Sequence, residues 1–443
     1  MRRVLAPILL LALAVLPAAA RAADRAALDR AELDRLVAAM PADPAHPVSG
    51  LAVVAVRDGR VVYEAAAGRA VIDPLDPARE RPFTADTRVR VASISKVPVA
   101  LAALSLAEEG RLDLDRDAGE YLGFALRNPA FPDRPVTVRM LLAHTSSIRD
   151  GEVYGLPVQH ALSDFFDPAG PFWEGGAHWA AADPAGDRGP GAFFAYANLN
   201  LGVLATIVER VAGERFDAVV AARILRPLGI AGAYDVRTLD EAAFATLAPV
   251  YRREGRGAWE AQVDDYRGRR PDDLVSPFGV AATAPLSAYQ VGRNATVLSP
   301  QGGLRASARE LAQLVRLLLG EGTVDGVRVL KAETVRAALS PAWSFDPARG
   351  NGETERGLYA SWGLGLQRAI PVPGSGGRLH GHLGEAYGLL GGIMLDPERR
   401  VGFAYLIAGT SATPQEYPGE GSAPSAWEAS LSSALWAHLA ATP

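Results

Sequence analysis

Two residues that could carry out acyl transfer stand three positions apart. Ser93 and Lys96 form a Ser-x-x-Lys at the start of a stretch with a helical pattern. Residues three apart share one face of a helix, so the Lys96 amine can reach the Ser93 hydroxyl. A neutral amine in that place can take the hydroxyl proton and make the serine a nucleophile. The motif alone is weak, because an ordinary exposed helix start can show the same pattern.

Two further motifs hold polar groups suited to the same chemistry. In Tyr196-x-Asn198, the phenol can shuttle protons if a nearby cation lowers its pKa from about 10. The amide can hydrogen-bond a substrate carbonyl. In His382-Leu383-Gly384, an imidazole could lie beside the nucleophile, and a backbone N–H is left to bind an oxyanion. Taken singly, each is more typical of a buried tyrosine beside a helix cap, or of a histidine before a strand glycine.

The scarcity of lysine draws attention to the first motif. Only Lys96 and Lys331 are lysines among the 45 basic Lys and Arg residues. An arginine-rich composition is typical of a GC-rich genome and needs no functional reason. Arginine stays protonated, however, whereas a buried lysine can lose its proton. A site that needs a basic amine therefore cannot replace lysine by arginine.

The elements that must position these motifs can be predicted from the hydrophobic pattern. A helix over 93–109, closed by Gly110, places Ser93 and Lys96 in its first turn. Strand hairpins are predicted at both ends of the chain, which indicates one α/β unit whose sheet is built from both termini. The predicted hairpins are 51–56 with 61–67 and 387–395 with 401–407, and the other predicted helices are 136–144, 199–211, 307–319 with Ser307 as its cap, and 426–440.

The composition limits the class of protein. With 49% hydrophobic and 21% charged residues over 443 positions, the chain has ample material for a globular core. The net charge of -5 and the absence of a basic run exclude nucleic acid as an expected partner. There is no cysteine, which excludes disulfides, thiolate metal ligands and a cysteine nucleophile.

The N-terminus has the pattern of a secretory signal peptide over 1–22. Arg2 and Arg3 precede an apolar run over 4–16, and Ala20-Arg21-Ala22 is a small-x-small cleavage site. The run is short for a membrane anchor, and no later segment approaches a spanning length. We expect an exported, periplasmic or secreted protein whose mature domain is 23–443. Within it, 251–297 is long, charged and poorly periodic, which predicts a surface insertion or lid.

The order of the three motifs and the segments between them resemble a known family. The chain from about Leu51 to its end is similar to the serine β-lactamases of class C and to their relatives, the D-alanyl-D-alanine carboxypeptidases, D-aminopeptidases and related esterases. The similar segments, in chain order, are Val91 to Lys96, Gly110 to Asp115, Thr137 to Ser147, Pro227-Leu228-Gly229 and Pro300 to Leu304. The resemblance implies a β-lactamase/transpeptidase-like α/β fold. Its central antiparallel sheet comes from both chain ends and is flanked by helices, and a mostly helical second lobe comes from the middle of the chain.

The resemblance also implies a mechanism. Ser93 attacks the acyl carbon and is acylated, while Lys96 and Tyr196 share the work of general base and acid. The oxyanion hole would consist of the backbone N–H groups of Ser93 and Glu385. Water then hydrolyses the acyl-enzyme, and neither a metal nor a cofactor is implied. His144, in one of the similar segments, has no chemical role in the family pattern, so we expect it to be structural.

Substrate binding is assigned to the other motif residues. The resemblance implies that Asn198 positions the acyl side of the substrate. It implies that His382, Leu383 and Gly384 form the third motif of the family, which also contacts the substrate. Many relatives carry Thr or Ser where Leu383 stands, and that hydroxyl helps to bind a substrate carboxylate. Leucine cannot donate this hydrogen bond, and histidine offers less fixed charge than lysine. Strong β-lactamase activity and strict carboxypeptidase activity are therefore not expected.

The predicted function is that of an exported serine hydrolase acting on a small-molecule, peptide or cell-wall-derived amide or ester. The alternatives are a true β-lactamase or D-Ala-D-Ala carboxypeptidase, or a binding or sensor protein of the same fold with weak catalysis. An α/β-hydrolase is not supported, because the sequence has no G-x-S-x-G elbow. The sequence indicates no oligomeric state.

Overall fold

Two hairpins, one from each end of the chain, form the middle of a single large sheet. The computed structural model describes residues 30–43, 48–254, 257–273, 285–373, 377–410 and 425–441, so the predicted signal peptide lies outside the described residues. The strands are β1 (Val48–Arg57), β2 (Arg60–Val71), β3 (Arg81–Pro82), β4 (Val89–Arg90), β5 (Val250–Arg252), β6 (Glu260–Val263), β7 (Arg305–Ala306), β8 (Thr323–Val324), β9 (Val327–Arg328), β10 (Trp343–Ser344), β11 (Ser361–Trp362), β12 (Gln367–Pro371), β13 (Arg378–Ala386), β14 (Leu389–Asp396) and β15 (Val401–Thr410). The helices are α1 (30–39), α2 (Lys96–Glu108), α3 (Ala118–Leu122), α4 (Val138–Leu142), α5 (Leu199–Ala212), α6 (Phe216–Val220), α7 (Glu241–Ala245), α8 (Ala308–Leu319), α9 (Ala332–Leu339) and α10 (Ala426–Ala441).

The sheet joins the two ends of the chain through one central pair of strands. Its order is β10-β11-β12-β13-β14-β15-β1-β2-β3, and β1 pairs with β15 in antiparallel register, with Leu51 opposite Ile407. The predicted sheet from both termini is confirmed. The predicted hairpin of β1 and β2 is confirmed as well, because the two strands pair antiparallel and their turn residues, Asp58 and Gly59, both adopt the positive φ of a two-residue hairpin turn.

The central strands are buried on both faces. Successive side chains of a strand point to opposite faces, so one strand can serve two cores. Along β1, Val53 belongs to a core cluster with residues of α1 and α10, whereas Val54 belongs to a cluster with residues of α2, α5 and α8. The second core is the larger one and extends into the helical lobe. The predicted helical second lobe from the middle of the chain is therefore confirmed.

The predicted helices are present, although two begin or end differently. Ser307 accepts from the backbone N–H of Glu310, whose side chain accepts from Ser307 N–H, so the predicted cap of α8 is a full capping box. The helix expected over 136–144 is shortened to α4, because the chain leaves the helical region and His144 adopts φ 54°. The helix expected from Ser93 begins as a 3₁₀ turn, Ala92–Ser95, and becomes α-helical at Lys96.

The segment 251–297 is attached to the body of the protein at its N-terminal part. Strand β5 pairs with β6 and meets β15 at one parallel position. Asp264 forms a buried ion pair with Arg305 at 2.7 Å. Burial alone would raise the pKa of Asp264, but the charge and hydrogen bonds of Arg305, the charge of Arg90 and the hydrogen bond of Tyr266 together outweigh it, and the pKa falls to about 2. No helix within the described ranges has both the length and the apolar composition that crossing a bilayer requires.

Candidate active site

The nucleophile candidate lies in a sharp turn between the short strand β4 and helix α2, whose residues are mostly buried. Ala92, immediately before Ser93, adopts φ 48°, a region that non-glycine residues rarely occupy. The 3₁₀ turn that follows carries Ser93, and α2 then begins at Lys96. The turn packs against β13 of the sheet. The Ser93 side chain is thus presented between the helical lobe and the sheet.

Lys96 makes three short polar contacts. Its Nζ lies 2.8 Å from Ser93 Oγ, 2.8 Å from Asn198 Oδ1 and 2.9 Å from the backbone oxygen of Gln301. The last two partners can only accept, so they engage two N–H groups. A neutral amine has two N–H groups and one lone pair. In the neutral form of Lys96 the lone pair therefore faces the Ser93 hydroxyl.

Burial favours that neutral form. The Lys96 side chain is 1% exposed, and removal from water lowers its pKa to about 7, with the charge of Asp150 opposing the shift. Desolvation disfavours the charged form of an amine, which is why the pKa of Lys96 falls. Near neutral pH, a substantial fraction of Lys96 is consequently a base.

Tyr196 lies beside both Ser93 and Lys96. Its ring centroid is 4.9 Å from Lys96 Nζ, and its side chain hydrogen-bonds Ser93. The sequence left open whether a nearby cation lowers the pKa of Tyr196. Burial raises it well above the usual value, and Tyr359 adds to this, because a phenolate would be uncompensated there. Tyr196 is therefore a phenol that holds its proton, whereas Lys96 can give up its own.

His144 holds the Tyr-x-Asn segment in place. Its Nδ1 accepts from the backbone N–H of Ala197 at 3.3 Å and from Asn200 Nδ2 at 3.1 Å. Its ring also lies against that of Tyr196, with centroids 4.6 Å apart. Burial, and the charges of Lys96 and His382 with it, lower the pKa of His144 well below its usual value, so it stays neutral. These contacts agree with the expected structural role.

Asp150 belongs to the same network and was missed by the sequence analysis. Its Oδ2 accepts from Asn198 Nδ2 at 2.8 Å, and its Oδ1 accepts from Leu199 N–H, at the start of α5, at 2.9 Å. The first bond fixes the amide of Asn198 so that its oxygen points at Lys96. Asp150 follows the Thr137–Ser147 segment by three residues, and no spacing rule marks it there. One Nδ2 hydrogen of Asn198 stays available for a substrate carbonyl.

Strand β13 brings the third motif to the nucleophile. A Cβ on Gly384 would lie 2.7 Å from the backbone oxygen of Val91 and 3.1 Å from Ile94 Cγ1. Only glycine therefore allows the strand to approach the Ser93 turn so closely. Glu385, the second expected oxyanion donor, follows directly and lines the same cavity as Ser93.

His382 is held in one tautomer. Its Nδ1 lies 2.6 Å from the Leu383 carbonyl oxygen, which can only accept, so Nδ1 carries the proton. Burial, and the charge of Lys96 with it, lower the pKa of His382 to about 3. The ring is neutral at physiological pH, and its Nε2 is a buried acceptor that has no hydrogen-bond partner among the described residues. The third motif thus offers no positive charge.

The predicted site residues line one cavity of about 280 Å³, except for Lys96, which contacts Ser93 but does not line the cavity. Leu383 lines it and packs partly against the core beneath α10. No described residue of 251–297 lines this cavity. Three charged residues that the sequence did not single out do line it: Glu355, Arg356 and Glu428. The lining residues are Ser93, Tyr196, Asn198, Glu355, Arg356, Leu358, Tyr359, Trp362, Gln367, His382, Leu383, Gly384, Glu385, Leu390 and Glu428.

Over the described ranges, no group of three His, Asp or Glu side chains is arranged to hold a metal.

Comparisons with known proteins find a matching family and several related proteins. The sequence model of the family described as Beta-lactamase matches residues 33–419. A protein of Mycobacterium tuberculosis is 30% identical over 274 residues, which cover 58% of this chain and 59% of that protein. Esterase EstB of Burkholderia gladioli is 28% identical over 311 residues, covering 67% of this chain and 74% of the esterase.

A solved structure shows the same fold. EstCE1, described as a hydrolase with promiscuous acyltransferase activity, superposes with a TM-score of 0.63 at 20% identity, covering 94% of this chain and 99% of EstCE1. The expected β-lactamase/transpeptidase-like fold is therefore confirmed. The chain spans about three fifths of the length of the mycobacterial relative.

Proposed function

This chain belongs to the beta-lactamase family, and from that premise we propose that it is an exported serine hydrolase whose Ser93 forms an acyl-enzyme with a small amide, peptide or ester. The observation that carries the proposal is the orientation of the Lys96 amine. Two of its contacts are to acceptors, Asn198 Oδ1 and the Gln301 carbonyl, so that its lone pair is left for the Ser93 hydroxyl.

Acylation divides the proton transfers between two residues. Neutral Lys96 accepts the proton of Ser93 Oγ as the oxygen bonds to the acyl carbon, and the carbonyl oxygen becomes an oxyanion. The expected donors to that oxyanion are the backbone N–H groups of Ser93 and Glu385. The bond to the leaving amine or alkoxide then breaks. Tyr196, which keeps its proton, donates to the leaving group and is reprotonated from Lys96.

Deacylation repeats these steps with water. A water molecule loses its proton to the same Lys96 and Tyr196 pair and adds to the acyl carbon. Collapse of the second tetrahedral intermediate breaks the bond to Ser93 Oγ, which takes back a proton. The products are a free acid and an unchanged enzyme.

A second candidate, a true β-lactamase or D-Ala-D-Ala carboxypeptidase, rests on one residue at the rim of the cavity. Such substrates carry a carboxylate that needs a donor, and neither Leu383 nor neutral His382 supplies one. Arg356 lines the cavity. It is exposed, and no ion pair within the described ranges engages it. It is the lining residue that could bind a carboxylate in place of a hydroxyl.

The proposal is tested by labelling the purified protein with a fluorophosphonate. Ser93→Ala should abolish labelling, while Ser105→Ala should retain it, because the Ser105 hydroxyl bonds the Ala102 carbonyl and Arg223 and not Ser93. Labelling that persists in Ser93→Ala would contradict the proposal. Export is tested separately by mass spectrometry of the native product, which should begin near Ala23.

A further inference from the structure

The phenol ring of Tyr196 is surrounded by other rings and lies outside regular secondary structure. Residues 195–197 belong to neither a helix nor a strand. The ring of Tyr359 stacks on that of Tyr196, with centroids 5.6 Å apart and planes inclined by 16°. Trp362 meets the same ring edge-on with centroids 5.7 Å apart, and the centroid of His144 is 4.6 Å away. The position of the phenol therefore depends on these neighbours.

The stacked residue, Tyr359, comes from the 351–359 loop, which lies between β10 and β11. Two backbone hydrogen bonds attach this loop to the chain two residues before the phenol. The N–H of Phe194 donates to the carbonyl of Asn351, and the N–H of Glu353 donates to the carbonyl of Phe194, each at 3.0 Å. The loop thus brings its tyrosine to the Tyr-x-Asn segment along a fixed path.

A glycine makes this attachment possible. A Cβ on Gly352 would lie 2.5 Å from Trp343 Cζ2 and 3.0 Å from Phe194 Cβ, so a larger residue would push the loop away. At the other end of the loop, the buried side chain of Gln367 donates from Nε2 to the carbonyl of Leu358 at 3.0 Å. The loop is therefore anchored on both sides of the stretch that leads to the stacked ring.

The stack also bears on the proton of Tyr196. Tyr359 lines the same cavity as Ser93 and Tyr196. Burial raises the pKa of Tyr359, and the charges of Glu355 and Glu385 raise it further, so this phenol also keeps its proton. After burial, Tyr359 is the next cause that raises the pKa of Tyr196. The neighbouring ring therefore favours the protonated phenol that a proton donor needs.

We propose that Tyr359 is a positioning residue, whose stacked ring holds the Tyr196 hydroxyl where it protonates the leaving group. The inference rests on the proposed Ser93 acyl-enzyme and on Tyr196 as its proton donor. Tyr359 acts through Tyr196, so its ring is required and its own hydroxyl is not. A stacked aromatic pair favours one arrangement over others by about 2- to 10-fold.

The role is visible only with a leaving group that needs a proton. An alkoxide or an amine must be protonated as it departs, whereas p-nitrophenolate is a stable anion that leaves without a proton. Loss of positioning should therefore slow alkyl esters and amides more than p-nitrophenyl esters. A general loss of folded protein would slow both equally.

The test compares ethyl butyrate with p-nitrophenyl butyrate, which share an acyl group and differ in the leaving group. The measured quantity is the ratio of their kcat/KM values, ethyl ester over p-nitrophenyl ester. Tyr196→Phe should lower this ratio by about 10²-fold or more, the usual cost of losing a proton-transfer group. Tyr359→Leu should lower it by about 3- to 10-fold, as expected for the loss of one stacked ring.

Two further variants separate positioning from other effects. Tyr359→Phe keeps the ring and removes only the hydroxyl, so its ratio should stay within about twofold of the wild type. Tyr121→Leu makes the same exchange at a half-buried tyrosine of α3 that does not line the cavity, and it should leave the ratio unchanged even where it lowers Tm. The proposal is overturned if Tyr359→Leu leaves the ratio unchanged, or if Tyr359→Phe or Tyr121→Leu lowers it as much as Tyr359→Leu does.

A double variant shows through which residue Tyr359 acts. Once Tyr196→Phe has removed the proton, adding Tyr359→Leu should not lower the ratio further. A second fall of the same size would mean that Tyr359 acts on the substrate directly, which contradicts the positioning role.

Labelling with the fluorophosphonate separates this inference from the proposed function. Fluoride leaves without a proton, so folded Tyr359→Leu should still be labelled at Ser93 at close to the wild-type rate. If labelling depends on Ser93 but Tyr359→Leu does not change the ester ratio, the proposed function stands and this inference fails. If labelling does not depend on Ser93, the proposed function itself fails.

Discussion

The two walls of the cavity are built on different principles. The nucleophile wall is made of Ser93, Lys96, Tyr196 and Asn198. It is a closed hydrogen-bond network, and Lys96 has three polar partners within reach. The opposite wall, made of His382, Leu383, Glu385 and Glu428, contains an unpartnered imidazole nitrogen, an apolar side chain and carboxyl groups without ion pairs among the described residues.

The difference separates chemistry from selectivity. A network whose members satisfy one another has fixed geometry, which proton transfer requires. Groups left without partners are suited to a ligand that satisfies them. Variants of the nucleophile wall should therefore slow the turnover of every substrate, whereas variants of the opposite wall should change the ratio between substrates.

The largest effect is expected from Lys96→Arg. Arginine keeps a positive charge, but it cannot lose its proton at neutral pH and so cannot accept one from Ser93. The loss of a general base typically costs about 10²–10⁴ in rate, and a guanidinium must in addition fit a site shaped for an amine. We expect kcat/KM to fall by about 10³-fold or more for esters and amides alike.

The other lysine provides the control. Lys331 is exposed and lies at the start of α9, and its hydrogen bonds among the described residues are made by its backbone, to Glu108, Thr334 and Val335. Lys331→Arg should leave kcat/KM unchanged. If Lys96→Arg retained most of the activity, the nucleophile wall would not work through a basic amine, and its contrast with the opposite wall would disappear.

An intermediate effect is expected from Asp150→Asn, which changes the wall without touching Ser93. An asparagine cannot accept from both Asn198 Nδ2 and Leu199 N–H as the two carboxylate oxygens do. Loss of a charged hydrogen bond costs about 10- to 100-fold. The carboxylate also raises the pKa of Lys96 against the effect of burial. Its removal should lower that pKa further below about 7.

The pH profile distinguishes this role from simple destabilisation. Neutral Lys96 is the active form, so kcat/KM rises with pH through the Lys96 pKa. In Asp150→Asn this acid limb should move to lower pH while the plateau falls. An unchanged limb with a lower plateau would mean that Asp150 only supports the fold locally.

The contrast between the walls also explains what the sequence could reveal. The Ser93–Lys96 spacing follows from helix geometry, and the hairpins of β1–β2 and β14–β15 follow from apolar runs joined by turn residues, so both could be predicted. Asp150 could not. Its role depends on the turn after α4 bringing it to the start of α5, some 48 residues later, and no local pattern encodes that approach.

The opposite wall was even less accessible to sequence reasoning. Glu428 reads as an acidic residue in the first turn of a helix, which is its usual place. Only the packing of α10 against the sheet shows that its carboxyl is buried and lines the cavity of Ser93. The sequence could not show the direction of the Tyr196 pKa either, because burial, which raises it, is the largest cause. The spacing of residues in the sequence does not show whether a particular carboxyl or phenol group is buried.

The smallest expected effect tests the opposite wall through Leu383→Thr. A threonine would restore a hydroxyl donor beside the nucleophile, where a substrate carboxylate could accept from it. A hydrogen bond to a charged group contributes about 1.5–3 kcal/mol, but Leu383 also packs partly against the core beneath α10, so only part of this should be gained. We expect nitrocefin hydrolysis to rise by up to about tenfold relative to a short-chain p-nitrophenyl ester, which has no carboxylate. Both rates are measured on the same preparations, so a loss of folded protein cancels in the ratio.

Efficient nitrocefin hydrolysis by the wild type, with a ratio that Leu383→Thr leaves unchanged, would show that another residue already holds the carboxylate. Arg356 would then be the first to replace, and a drop in nitrocefin turnover alone in Arg356→Gln would move carboxylate recognition from the opposite wall to the rim.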